Sequence, residues 1–171
     1  MTTTTATSTP RLAIELGKRT DGSVTFRLVR ADGSATWQRH QGPTAQFFPL
    51  HDLTHFAVET TLGHARGFYG LVAEGWELGD FGTPWPRGRI PDDADPSELI
   101  VGFLDLERAS GHRQSAAEYN AQLERQLADA RTPFAPLTEA QLTVIRDRVR
   151  ELHERWRTLA SGDTMRLSFD V

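Results

Sequence analysis

Two Asp-Gly pairs, Asp21-Gly22 and Asp32-Gly33, separate three short runs of period-two apolar patterning near the start of the chain. Leu12, Ile14 and Leu16 share one side of the first run, and Val24, Phe26 and Leu28 share one side of the second. Ala35-Thr36-Trp37-Gln38-Arg39 forms the third. Asp-Gly between alternating runs is a strong hairpin signal, because both residues tolerate the positive φ that a tight hairpin turn demands. The segment therefore predicts a three-stranded antiparallel meander with one buried face. That face must be covered by the rest of the chain.

Gln41-Gly42-Pro43 ends the meander, and the chain beyond it is mostly helical in pattern. Pro49 suits a first helical turn, and a helix is expected over about 50–62, apolar round most of its circumference and so buried. Gly63 and Gly67 bracket a turn into a second helix over about 68–78. Residues 79–96 hold Gly79, Gly82, Gly88 and the prolines Pro84, Pro86, Pro91 and Pro96, and read as a loop. A third helix runs from Ser97 through Leu99, Phe103 and Leu106 to near Gly111, and a fourth covers about 114–130. Thr138 to Gln141 is a capping box that opens the clearest amphipathic helix, with Leu142, Ile145, Val149, Leu152, Trp156 and Leu159 on its apolar face. Met165, Leu167 and Phe169 then alternate as a last strand returning to the sheet. The class is α+β: a three-stranded N-terminal meander plus a C-terminal strand, packed against about five helices. Residues 11–171 form a single domain, and residues 1–10, rich in threonine, read as a disordered polar tail.

Composition narrows the function. A net charge of −4 gives no electrostatic case for nucleic acid. The arginines of 146–157 are interleaved with acids at helical pairing distance, as in Arg150 and Glu154, which favours a solvated face. The C-terminal helices are a candidate homodimer surface. No cysteine is present, so thiolate ligands, thiol nucleophiles and disulfides are excluded, and a cytoplasmic location is expected. The first residues lack a basic and an apolar signal region, and no apolar run is long enough for a membrane span, so no membrane association is expected.

Chemistry concentrates in His51-Asp52-Leu53-Thr54-His55, followed after eighteen residues by Glu74. Histidines four apart on a helix present both imidazoles on one face, the spacing one zinc ion needs of two ligands. An antiparallel second helix would bring Glu74 level with His55 as a third ligand. Glu59 continues the His51–His55 row but lies about 12 Å from His51 along the axis, too far to share one ion with it. It is expected to accept the free N–H of a ligating histidine instead. His64, in the turn, either joins the site or is a solvated turn residue. The alternatives for these groups are structural: histidines hydrogen-bonded to Asp52, Glu59 or backbone, and Glu74 paired with an arginine such as Arg66.

The H-x-x-x-H pair, the eighteen-residue gap and Val72-Ala73-Glu74-Gly75-Trp76 resemble the gluzincin group of zinc metallopeptidases. The resemblance implies zinc ligands at His51, His55 and Glu74, with position 52 as general base. Asp52 departs from the group's glutamate there and is one methylene shorter. The pattern His51-Asp52-Leu53-x-His55 with Gly67-Phe68-x-Gly70-Leu71 is also similar to uncharacterised bacterial proteins. The expected function is a zincin-like protein that binds zinc or another divalent metal, a minimal or degenerate metal-dependent peptide or amide hydrolase with a peptide or small molecule as substrate. The alternative is a non-catalytic structural or interaction module with a buried His/Asp/Glu cluster.

Overall fold

Four strands, β1 (Leu12–Lys18), β2 (Val24–Arg30), β3 (Ala35–His40) and β4 (Thr164–Phe169), form one antiparallel sheet in the order β3-β2-β1-β4. The computed structural model describes residues 11–82, 84–128, 132 and 134–171. The polar tail expected over 1–10 lies outside these residues, as does the end of the fourth helix expected beyond 128. The meander expected from the Asp-Gly pairs is present, with Gly22 and Gly33 at φ 80° and 85°. Each turn aspartate accepts from the backbone N–H two residues on, at Ser23 and Ser34. The returning strand β4 pairs with β1, so the first strand is central and Leu12, Ile14 and Leu16 are fully buried.

Five α-helices accompany the sheet among the described residues: α1 (Pro43–Leu62), α2 (Phe68–Ala73), α3 (Ser97–Ser110), α4 (Ala116–Leu127) and α5 (Glu139–Thr158). Helix α1 starts seven residues earlier than the sequence predicts, because Pro43 already occupies its first turn and Pro49 is carried inside it. Helix α2 is shorter than expected. Gly75, at φ 105°, turns the chain out, and a 3-10 turn at Leu78–Phe81 comes next. Buried Arg30 on β2 reinforces this exit by donating to the carbonyls of Val72 and Trp76, both at 2.7 Å. One carbonyl belongs to the last turn of α2 and the other to the chain just beyond it, so the guanidinium ties the exit to the sheet. The capping boxes at Ser115/Glu118 and Thr138/Gln141 start α4 and α5. Among the described residues no helix is long and apolar enough to cross a membrane.

Helix α1 is the axis of the fold. Every residue from Asp52 to Glu59 is buried. On one side Leu53, Phe56 and Ala57 join the inner face of the sheet, α2 and the Leu152–Trp156 end of α5. On the other, Val58 joins a second cluster built from α3, α4 and α5 around Ile100, Tyr119, Leu123 and Ile145. Polar residues on α1 are thus enclosed between two apolar cores and must find partners there.

Candidate metal centre

His51 and His55 lie one turn apart on α1, with ring centroids 4.9 Å apart and edge to face. Each ring has its Nδ1 held by a carboxylate. His51 Nδ1 is 2.7 Å from Asp105 Oδ2, and His55 Nδ1 is 3.1 Å from Glu59 Oε1. The Nε2 atoms are left for other work. His55 Nε2 is 3.0 Å from Glu98 Oε2. One ligand atom from each of His51, His55 and Glu98 falls within 4.8 Å of the others.

Helix α3 supplies both new acids. Glu98 meets His55 and Asp105 meets His51, so α3 runs antiparallel to α1 and its polar seam faces the histidine face. Asp105 also accepts from Arg108 at 2.9 Å. Burial pushes the Asp105 carboxyl up, but the hydrogen bonds from His51 and Arg108 outweigh it and hold it below its usual value. Glu98 is exposed at the rim, and its hydrogen bond to His55 lowers its pKa.

Glu59 is the anchor of the cluster. It is fully buried and accepts from the backbone N–H groups of Phe68 (2.8 Å) and Tyr69 (3.0 Å) as well as from His55. It therefore caps the start of α2 while orienting the His55 ring. Burial raises its pKa, and the imidazole and the two N–H groups act against that rise. Room for the carboxylate comes from Gly67, where a Cβ would stand 2.5 Å from Glu59 Cδ. The sequence expectation sets Glu59 at the far N–H of a ligating histidine, and the structure places Glu59 Oε1 at His55 Nδ1. Burial opposes charge on His55, yet the flanking carboxylates Glu59 and Glu98 push its pKa up to about 10 in the metal-free protein.

Glu74 is not brought to the histidines. It caps the C-terminus of α2 and turns to Arg66, with Nε–Oε1 at 3.0 Å, the salt-bridge alternative open to it in the sequence. The reason is local. Helix α2 meets α1 through its first turn, where Glu59 binds, and it presents the Phe68 ring to His55 at 5.1 Å. His64 is also elsewhere: its Nδ1 lies 2.8 Å from Ser97 Oγ, and burial lowers its pKa. The other acids that meet the histidines, Glu98 and Asp105, carry no motif that singles them out in the sequence. Their seven-residue spacing on one face of α3 is the signal that could have found them.

The cluster opens into a cavity of about 380 Å³. Phe26, Gln38 and His40 line it from the sheet, and Phe48, His51, Asp52 and His55 from α1. Phe68, Leu78, Phe81, Trp85 and Ile90 form the facing wall, with Glu98 beside them. Asp52 lines the cavity beside the two histidines. Burial raises its carboxyl to about 7, against the pull of His51 and His55. Its backbone carbonyl is pinned by the Tyr69 hydroxyl at 2.9 Å.

No family model, curated protein or solved structure matches the chain.

Proposed function

We propose that the protein binds one divalent cation of the zinc type through His51, His55 and Glu98, and acts as a metal-dependent hydrolase on a small ester or amide. The observation that carries this reading is the pair of carboxylate–histidine couples. Asp105 and Glu59 each engage an Nδ1, which fixes ring orientation and leaves the Nε2 atoms, once deprotonated, to meet an ion together with a third donor. Two imidazoles and one carboxylate suit a catalytic zinc ion, which keeps a position open for water or substrate. Such an ion supplies a Lewis acid and a nucleophilic water at neutral pH. Asp52, at the cavity wall beside His51 and His55, would be the group to accept a proton.

The test is elemental analysis of protein purified without chelator. About one zinc per chain is expected, lost in His51→Ala, His55→Ala and Glu98→Ala and kept in Glu74→Ala. A metal-free parent, or a Glu98→Ala variant that keeps its zinc, overturns the assignment.

A second reading has one observation in its favour. His55 already lies between Glu59 and Glu98 at hydrogen-bond distance from both, so a cationic ring would satisfy the cluster without metal. The protein would then be a non-catalytic module with a structural ion network. Its unfolding midpoint would be indifferent to chelator, whereas a metal bound only to the native state raises it.

A further inference from the structure

We infer that the metal cavity takes a small molecule with a single aromatic ring next to a metal-binding oxygen, rather than an extended peptide. This substrate class deepens the metal reading and rests on it. The cavity volume of about 380 Å³ lies near the lower end of small-molecule sites, about 300–1,000 Å³. Its wall is aromatic on three sides: Phe26 from β2, Phe48 from α1, and Phe68, Phe81 and Trp85 from the segment beyond α1. Stacked and edge-on ring contacts are favoured in such a wall and give it ring-shaped selectivity. The donor set beneath it, His51, His55 and Glu98, would leave an ion a coordination position that a ligand oxygen can fill.

Trp85 is held in place against its own preference. Its backbone sits at φ 61°, the one described residue other than glycine with positive φ, a conformation rare for a bulky side chain. Two backbone hydrogen bonds keep it there, from Trp85 N to Gly82 O (2.8 Å) and from Gly88 N to Trp85 O (2.9 Å). Backbone outliers of this kind gather at ligand sites. The polar groups on the sheet side, Gln38 and His40, are half-buried, and burial lowers the His40 pKa below its usual value. Away from the metal, the wall is thus uncharged and suited to a neutral ring.

Isothermal titration of the zinc-loaded protein with three hydroxamates tests this. The probes are acetohydroxamate, benzohydroxamate and an N-capped tripeptide hydroxamate. Benzohydroxamate should bind about 10- to 100-fold more tightly than acetohydroxamate, the gain from burying a ring in place of a methyl group. It should also outbind the tripeptide probe. Trp85→Ala should narrow the ring preference while zinc content stays at that of the parent. A zinc-loaded protein that binds the two small probes equally, or prefers the tripeptide, overturns the substrate class alone. A ring preference unchanged in Trp85→Ala overturns the assignment of Trp85 to the wall that holds the ring. A protein that takes up no zinc overturns the metal reading, and the substrate class with it.

Discussion

Replacing Glu59 by glutamine changes one atom of a fully buried side chain and breaks a count of donors and acceptors. The carboxylate takes three N–H groups: Phe68 N and His55 Nδ1 on Oε1, and Tyr69 N on Oε2. A glutamine oxygen can keep the first two, but its NH₂ then faces the Tyr69 N–H, donor against donor. One hydrogen bond to a charged acceptor is lost, about 1.5–3 kcal/mol, and a buried donor is left unmade, about 1–3 kcal/mol. The expected loss of stability is about 3–5 kcal/mol in the metal-free protein, or a fall in Tm of roughly 10 °C for a chain of this size. The control is the same change at Glu74, a half-exposed partner of Arg66, where about 0–1 kcal/mol is expected. Thermal unfolding of both variants in chelator measures the difference, and zinc titration of Glu59→Gln should show affinity reduced about 10- to 100-fold. Equal Tm shifts for the two variants would refute the view that Glu59 caps α2 and orients His55.

The ion pair between Arg146 on α5 and Glu107 on α3, with side chains only 12% and 8% exposed, predicts that Arg146→Met costs about 3–5 kcal/mol by stranding a buried carboxylate; Arg150→Met, at a 72% exposed position, should cost about 0–1 kcal/mol, both read from urea midpoints. Gly67→Ala should destabilise by about 1–3 kcal/mol through overpacking and weaken zinc binding, because its Cβ would stand 2.5 Å from both Glu59 Cδ and Ser97 Oγ; calorimetric zinc affinity equal to the parent's would argue against that coupling. Burial holds the His153 pKa below its usual value, outweighing the Leu50 carbonyl at 2.9 Å. The unfolded chain therefore binds this proton first as pH falls below about 6.5, and stability declines from there down to the folded-state pKa. His153→Gln should shrink the stability difference between about pH 7.5 and 5.5, and an unchanged difference would show that other groups set the acid limb.

The fold is legible in the sequence where a local rule decides the backbone. Asp21-Gly22 and Asp32-Gly33 fix two hairpins, and the Thr138–Gln141 box fixes the start of α5. Alternation at Met165, Leu167 and Phe169 points to a strand, and its pairing with β1 makes sense once the meander needs a fourth member. The start of α1 is not legible in this way, because Pro49 carries the same local signal as Pro43, and only packing decides which of them opens the helix. At the site, spacing along α1 is enough to group His51, Asp52, His55 and Glu59, since these four depend on one helix. The third donor depends on a helix–helix pairing across more than forty residues of chain. Glu74 is favoured by its nearness in sequence, yet α2 closes within six residues and its first turn is taken by Glu59. Glu98 and Asp105 carry no local motif, and become meaningful only when α3 lies antiparallel to α1.

That pairing also bears on why the cluster is polar at all. Helix α1 is wedged between two apolar cores, and an apolar row at 51, 55 and 59 would join them without desolvating any charge. Buried ionic groups are often matched or exceeded in stability by well-packed apolar replacements. A row kept polar for stability alone would have no need of an opening, and its partners would be enclosed with it. Here Glu59 is enclosed, as a structural cap would be, but His51 and Asp52 border the cavity and Glu98 is exposed at its rim. Exposure along the row increases towards the cavity. The inner carboxylate holds the geometry, the outer groups face solvent space lined with aromatic rings, and the imidazoles lie between the two. This gradient is the arrangement expected of a supported binding site; under the proposed metal reading Glu98 would face the ligand and Glu59 would support it, although both touch the same His55 ring.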